Sequence, residues 1–230
     1  MKTAIILFPG TNREHDMAMA FERLTGVKPA LVWHKDTDLG RPDLIVLPGG
    51  FAYGDYLRCG AMAAHSPIMK EVIALARKGT RVLGVCNGFQ MLVETGLLPG
   101  ALLRNKTLKF ICKRVHLRCE NARTDFTGTM KKGDIVNVPI AHGEGNYFAS
   151  PGILKDLEDG DRIAFRYCDE TGKITEAANP NGSIQNIAGI LNKEKIILGM
   201  MPHPEDATQE WQGSRTGNGI FESIVNVLAA

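Results

Sequence analysis

Short, continuously apolar runs alternate with segments of helical spacing through the first hundred residues. Residues 3–8, Thr-Ala-Ile-Ile-Leu-Phe, form one run, closed by Pro9-Gly10, and the stretch from Arg13 to Leu24 then repeats apolar residues at Met17, Ala20, Phe21 and Leu24. That is strand followed by helix. The alternation continues with a strand-like run at 30–33, a buried strand at 44–47 ending in Pro48-Gly49-Gly50, and helical spacing over 68–77. A strand over 81–85 then runs straight into a helix over 88–94. Strands without a polar face, separated by helices, predict a mostly parallel central sheet covered on both sides, an α/β three-layer sandwich. Such sheets place their chemistry at the carboxyl ends of the strands.

From about Thr107 to Pro139 the pattern changes to alternation without helical stretches, which predicts a small antiparallel insertion added to the main sheet. Two strands at 187–191 and 196–200 and a helix from about Gly219 to Leu228 close the chain. No linker and no internal repeat interrupts it, so a single domain over 1–230 is expected.

Composition narrows the function classes. The chain is 44% hydrophobic and 23% charged with 25 Gly and 11 Pro, ordinary globular usage. Lys and Arg number 27 against 25 acids, a net charge of +2 that gives no drive toward nucleic acid or anionic membranes. The basic stretch from Arg104 to Arg123 alternates with apolar residues and reads as the solvated face of a strand. The apolar N-terminal run is too short for a signal peptide, and no run approaches the roughly 18 residues that span a bilayer. The expectation is a soluble cytoplasmic protein. Five cysteines at irregular spacing suit a reducing compartment. Cys112, His116 and Cys119 match no zinc pattern, so no metal is expected.

Cys86 stands where a buried strand meets a helix, in Gly84-Val85-Cys86-Asn87-Gly88. This Gly-x-Cys-x-Gly arrangement is that of a nucleophile elbow written with Cys in place of Ser. A thiol of ordinary pKa is only a few per cent ionised at neutral pH, and a helix dipole supplies about 0.3 to 1 kcal/mol, so a base is needed. The best candidate follows the last buried strand in Met201-Pro202-His203-Pro204-Glu205. Pro204 favours an extended backbone at His203, which would place the side chains at 203 and 205 on one side so that Glu205 orients the imidazole. Cys86 and His203 each follow a buried strand and would emerge at the same sheet edge.

These motifs resemble the class I, or triad, glutamine amidotransferases, a family with a flavodoxin-like fold. Its signature is matched by Gly84-Val-Cys-Asn-Gly-Phe-Gln90 and His203-Pro-Glu205. The resemblance implies Cys86 as nucleophile, His203 as general base and acid, and Glu205 as its orienting carboxylate. Its oxyanion loop is matched by Pro48-Gly49-Gly50-Phe51, which implies backbone N–H groups of Gly50 and Asn87 as the oxyanion donors. Gly49, Gln90, His142, Gly143 and Glu144 are then the implied glutamine-binding set.

Finer blocks, Gly50 to Arg58, Ala141 to Tyr147, Asn179 to Ser183 with Ile187 to Ile190, and Met200 to Glu205, resemble the glutaminase subunits of phosphoribosylformylglycinamidine synthase. Cys59 departs from the small residue expected there. The resemblance implies ammonia supply to a large ATP-dependent synthase subunit of the PurL type. That subunit would carry formylglycinamide ribonucleotide in purine biosynthesis, with a small third subunit of the PurS type. No phosphate-binding loop occurs in this chain, so it is expected to hold no cofactor, with ATP and magnesium on the partner. Tyr53, Asp55, Tyr56 and Arg58 are suggested to face that partner. Competing readings are a glutaminase serving a different acceptor, a cysteine peptidase or chaperone-like hydrolase, and a non-catalytic glutamine sensor. Peptidases of this kind usually place His after the nucleophile, where this chain has Asn87.

Overall fold

The computed structural model describes residues 1–55 and 58–229, which contain eleven strands and six α-helices. Five parallel strands form one half of a nine-stranded sheet: β1 (Thr3–Leu7), β2 (Ala30–Trp33), β3 (Leu44–Leu47), β4 (Arg81–Val85) and β11 (Ile197–Met200), in the order β2-β1-β3-β4-β11. The antiparallel half continues it as β10 (Ile187–Leu191), β9 (Ile163–Cys168), β6 (Ile111–Cys119) and β7 (Ile135–His142). β5 (Ala101–Leu103) and β8 (Asn146–Phe148) form a separate pair. The α/β reading with antiparallel strands joined to the main sheet holds. The addition comprises four of the nine strands, so the sheet is mixed and its antiparallel part is larger than a small insertion.

The helices are α1 (Glu14–Thr25), α2 (Ala61–Ala64), α3 (Pro67–Arg77), α4 (Asn87–Glu94), α5 (Pro151–Asp159) and α6 (Asn218–Leu228). The connection β1-α1-β2 steps one way along the sheet and β3-α3-β4 the other. With right-handed crossovers α1 and α3 therefore cover opposite faces. α6 joins α1, where Phe21 and Phe221 meet edge-on at 5.1 Å. Gly26, left-handed at φ 69°, stops α1 by donating to the Glu22 carbonyl.

Two elements escape the sequence pattern. All six residues of β9 are buried, but Arg166 breaks its apolar run; the guanidinium is bonded to Glu158 on α5 and to the Gln185 carbonyl. α5 begins at the Ser150 cap and Pro151 and turns Leu154 and Leu157 inward. β2 departs in the other direction, since as an edge strand it leaves Leu31 and Trp33 exposed. Solvation of Lys113 and Arg114 on β6 agrees with the strand-face reading, but 105–110 is a turn that leaves Leu108 and Phe110 exposed.

Candidate active site

Cys86 occupies the turn between β4 and α4 at φ 51° and ψ −106°, outside the regions an L-residue prefers. The turn is held from both sides: the Cys86 N–H donates to the Met200 carbonyl at 2.8 Å and the Cys86 carbonyl accepts from the Gln90 N–H at 3.1 Å. Gly88 lies against the Leu47 carbonyl, where a Cβ would overlap the oxygen, and a Cβ on Gly84 would lie 2.5 Å from Leu92 Cδ1. Close approach of α4 to the sheet therefore requires both glycines. Only 5% of Cys86 is exposed, and its Sγ lies 3.7 Å from the Ala141 carbonyl oxygen of β7.

His203 follows β11 in extended conformation, and Glu205 sits in the single 3-10 turn that Pro204 begins. The two side chains meet through this turn, with His203 Nδ1 2.7 Å from Glu205 Oε1. The His203 N–H donates to the Pro139 carbonyl at 2.9 Å, which ties the loop to β7. Gly49 lets the imidazole pack on the backbone, because a Cβ there would lie 2.6 Å from His203 Cε1. Nε2 of His203 is buried without a hydrogen-bond partner among the described residues. Burial opposes charge on this ring, but the Glu205 carboxylate and the Cys86 sulfur outweigh it and hold the imidazole well above its ordinary pKa. Asp206 is pushed upward by burial and by Glu205, against the pull of Arg13 3.5 Å away. His203, Glu205 and Asp206 bring donor atoms within 4.8 Å of one another, a spacing a cation could use. Yet Nδ1 faces Glu205 Oε1 and Asp206 faces Arg13, so part of the set is already engaged, while His203 Nε2 and Glu205 Oε2 have no partner among the described residues.

The loop after β3 returns across the elbow. The Phe51 N–H donates to the Gly10 carbonyl at 2.9 Å, and a Cβ on Gly50 would lie 2.7 Å from that same oxygen. Among the described residues no carbonyl accepts from the N–H of Gly50 or Asn87. The Asn87 side chain bridges the loop and the elbow, accepting from the Ala52 N–H at 3.1 Å and donating to Gln90 Oε1 at 2.8 Å. A cavity of about 360 Å³ opens here, lined by Gly50, Cys86 and His203 together with Phe51, Phe110 and Arg13. The last two carry no motif signal, and Phe51 was visible only as the end of the glycine turn. A cavity of about 630 Å³ between the end of α3 and the β10–β11 connection holds no cysteine or histidine.

Gln90, His142, Gly143 and Glu144 surround the elbow but do not line the cavity. Gln90 Nε2 donates to the Glu144 carbonyl at 2.7 Å, and the Glu144 carboxylate accepts from the Cys59 N–H at 3.3 Å with Arg104 at 3.7 Å. Asn105 holds the loop from within: its N–H donates to the Gly143 carbonyl, its Nδ2 to the His142 carbonyl, and its Oδ1 accepts from His142 Nδ1 at 3.1 Å. Burial and the charge of His203 push His142 down to about 4. Arg58 pairs with Glu94, Asp55 is pushed up by burial, and Tyr56 lies outside the described residues. All five cysteines are free thiols, and burial among Asp55 and Glu144 pushes Cys59 far upward.

A CobB/CobQ-like glutamine amidotransferase domain matches residues 1–224. The chain belongs to the glutamine amidotransferase family. This amidotransferase is 54% identical to phosphoribosylformylglycinamidine synthase subunit PurQ of Nitrobacter hamburgensis over 226 residues, 98% of this chain and 97% of the relative. It is likewise 54% identical to the subunit PurQ of Rhodospirillum rubrum over 230 residues, all of both chains. Among solved structures, PurLQS from Thermotoga maritima matches with a TM-score of 0.87 at 41% identity, covering 99% of this amidotransferase and 98% of that chain. A second glutamine amidotransferase from Thermotoga maritima, at 16% identity and a TM-score of 0.58 over 99% of this chain and 97% of its own, shares the fold.

Proposed function

We propose that this chain is the glutaminase subunit of phosphoribosylformylglycinamidine synthase. It hydrolyses L-glutamine and passes ammonia to an ATP-dependent synthase subunit, which converts formylglycinamide ribonucleotide to formylglycinamidine ribonucleotide in purine biosynthesis. The observation that carries the catalytic reading is the hydrogen-bonded His203–Glu205 pair facing a cavity shared with Cys86, with Nε2 left unpartnered. Identity of 54% to PurQ subunits along the whole chain supports the acceptor and the partners, a PurL-type synthase and a small PurS-type subunit. The full 1–230 span acts as one amidotransferase domain in this reading.

His203 takes the thiol proton as Cys86 attacks the side-chain amide, giving a tetrahedral oxyanion. N–H groups of Gly50 and Asn87, free of carbonyl partners among the described residues, receive that charge. The Glu205 carboxylate keeps the proton on His203 until it is passed to the departing ammonia, leaving a γ-glutamyl thioester. Water deprotonated by His203 then releases glutamate. Gly49, Gln90, His142, Gly143 and Glu144 hold the substrate's charged end in this reading; continuity of 142–144 with Ala141, whose carbonyl faces the sulfur, supports it. ATP and magnesium belong to the synthase subunit. No helix of the described residues is long and apolar enough to cross a membrane, and five free thiols support a cytoplasmic setting.

The test is glutamate release by the wild-type chain and Cys86→Ala, each alone and with a purified ATP-dependent synthase subunit. Release that rises with the partner and disappears in the variant is expected. Retention of glutamine without glutamate release would instead indicate a sensor.

A further inference from the structure

The loop from Gly50 to Asp55 carries an oxyanion donor, yet it runs through three successive left-handed residues. Tyr53 lies at φ 56°, Gly54 at 74° and Asp55 at 51°. A tyrosine in that region relaxes toward the right-handed basin unless its surroundings hold it. On the side of the elbow the loop is held by Gly10 and by Asn87, as described above. Among the described residues its outer side is held through the Tyr53 side chain: the hydroxyl lies 2.8 Å from His34 Nδ1 and 2.9 Å from Ser66 Oγ, which are themselves 3.3 Å apart.

Those partners sit on rigid elements. His34 immediately follows β2, its N–H donates to the Leu7 carbonyl of β1, and its ring lies between Phe8 and Trp33 at centroid distances of 5.9 and 4.5 Å. Ser66 immediately precedes α3, and its hydroxyl makes no capping bond there. Both are buried, at 4% and 5% exposure, and neither lines the cavity with Cys86. Burial pushes His34 below its ordinary pKa. The Tyr53 N–H donates to the Pro9 carbonyl at 2.7 Å, so backbone and phenol together fix the residue.

We infer that Tyr53, clasped by His34 and Ser66, is a positioning residue that holds the Gly50 N–H in its oxyanion-binding orientation. The inference rests on the glutaminase reading of the site. None of the three touches the reacting atoms; they act through the loop. Negative charge on the amide oxygen grows only as the thiol adds, so a loosened loop weakens the transition state more than substrate binding. The loss therefore falls on kcat and spares KM.

The experiment measures glutamate release by the complex with the ATP-dependent synthase subunit, for wild type, Tyr53→Phe and Ser66→Ala. Turnover is expressed per Cys86 titrated with an irreversible chloroketone analogue of glutamine. Misfolded protein lowers the titre and leaves turnover per titrated site unchanged. For Tyr53→Phe we expect kcat per site about tenfold lower with KM within about twofold, and for Ser66→Ala a loss of about threefold in the same direction. Turnover per site within about twofold of wild type in Tyr53→Phe, or a rise in KM at constant kcat, would overturn the inference. Absence of release from the wild-type complex would overturn the glutaminase reading and this inference with it.

Discussion

Two loops close on the sulfur of Cys86, and each carries a buried histidine whose Nε2 has no partner among the described residues. After β11, His203 sets Nδ1 against the Glu205 carboxylate and is held well above its ordinary pKa. At the end of β7, His142 sets Nδ1 against the Asn105 amide and is driven down to about 4. Burial is nearly the same, at 4% and 3% exposure, so the surrounding charges set the difference: Glu205 and the Cys86 sulfur raise His203, and the charge of His203 lowers His142. A carboxylate stabilises the imidazolium and makes an acid–base catalyst; a neutral amide leaves a ring that stays uncharged through the reaction. The residue two positions away on its own turn serves one histidine, and a residue 37 positions earlier serves the other.

The contrast breaks most severely at Glu205. Glu205→Gln keeps a hydrogen-bonding group at Nδ1 but removes the charge that favours the protonated ring. The carboxamide oxygen accepts from Nδ1–H as before, and only the charge is lost. We expect kcat for glutamate release about 10³-fold lower, with KM little changed. The His203 pKa, followed by NMR titration, should fall. A variant within about tenfold of wild type would show that geometry alone suffices.

At His142 the expected effect is on stability. Its folded-state pKa of about 4 lies below the 6.5 of the unfolded chain. Between those values the unfolded state binds more protons, so stability falls as pH is lowered through 6.5 toward 4. Integrated from about pH 7 to pH 5, this one ring removes about 2 kcal/mol. His203 has the opposite sign: its raised pKa contributes stability below the unfolded value, lost as pH rises through the folded one. Urea midpoints at the two pH values should show His142→Gln losing about 2 kcal/mol less than wild type over that interval, and an unchanged pH slope would remove His142 as its source.

The difference between the loops also explains what could be read before the structure. The elbow and the His203–Glu205 pair are local, because glycine, proline and chain direction over a few residues set their geometry; what the extended-backbone argument missed is that the pair forms through a turn. The walls are not local. Ala141 and Pro139 reach Cys86 and His203 only because the antiparallel half of the sheet brings β7 back over the parallel strands, a matter of long-range pairing. Phe110 lines the cavity from a turn whose alternating charges had predicted a strand face. β9 was hidden by a buried Arg166 whose carboxylate partner, Glu158, lies on α5 eight residues earlier.

The smallest effect is expected at Glu144, and it bears on how the second loop meets substrate. Its carboxylate already accepts from the Cys59 N–H and lies 3.7 Å from Arg104, while its carbonyl accepts from Gln90. Glu144→Gln retains an acceptor for Cys59 and removes only charge, including the repulsion that helps push Asp55 upward. Partly exposed pairs such as that with Arg104 contribute about 0.2 to 1 kcal/mol. If the loop grips glutamine through its backbone, KM should rise by no more than about threefold at constant kcat. A direct bond from this carboxylate to the substrate's ammonium would be worth about 1.5 to 3 kcal/mol, and its loss would raise KM by about tenfold or more. Steady-state KM for glutamine in the assembled complex separates the two, and the larger value would mean that Glu144 leaves Cys59 when substrate binds.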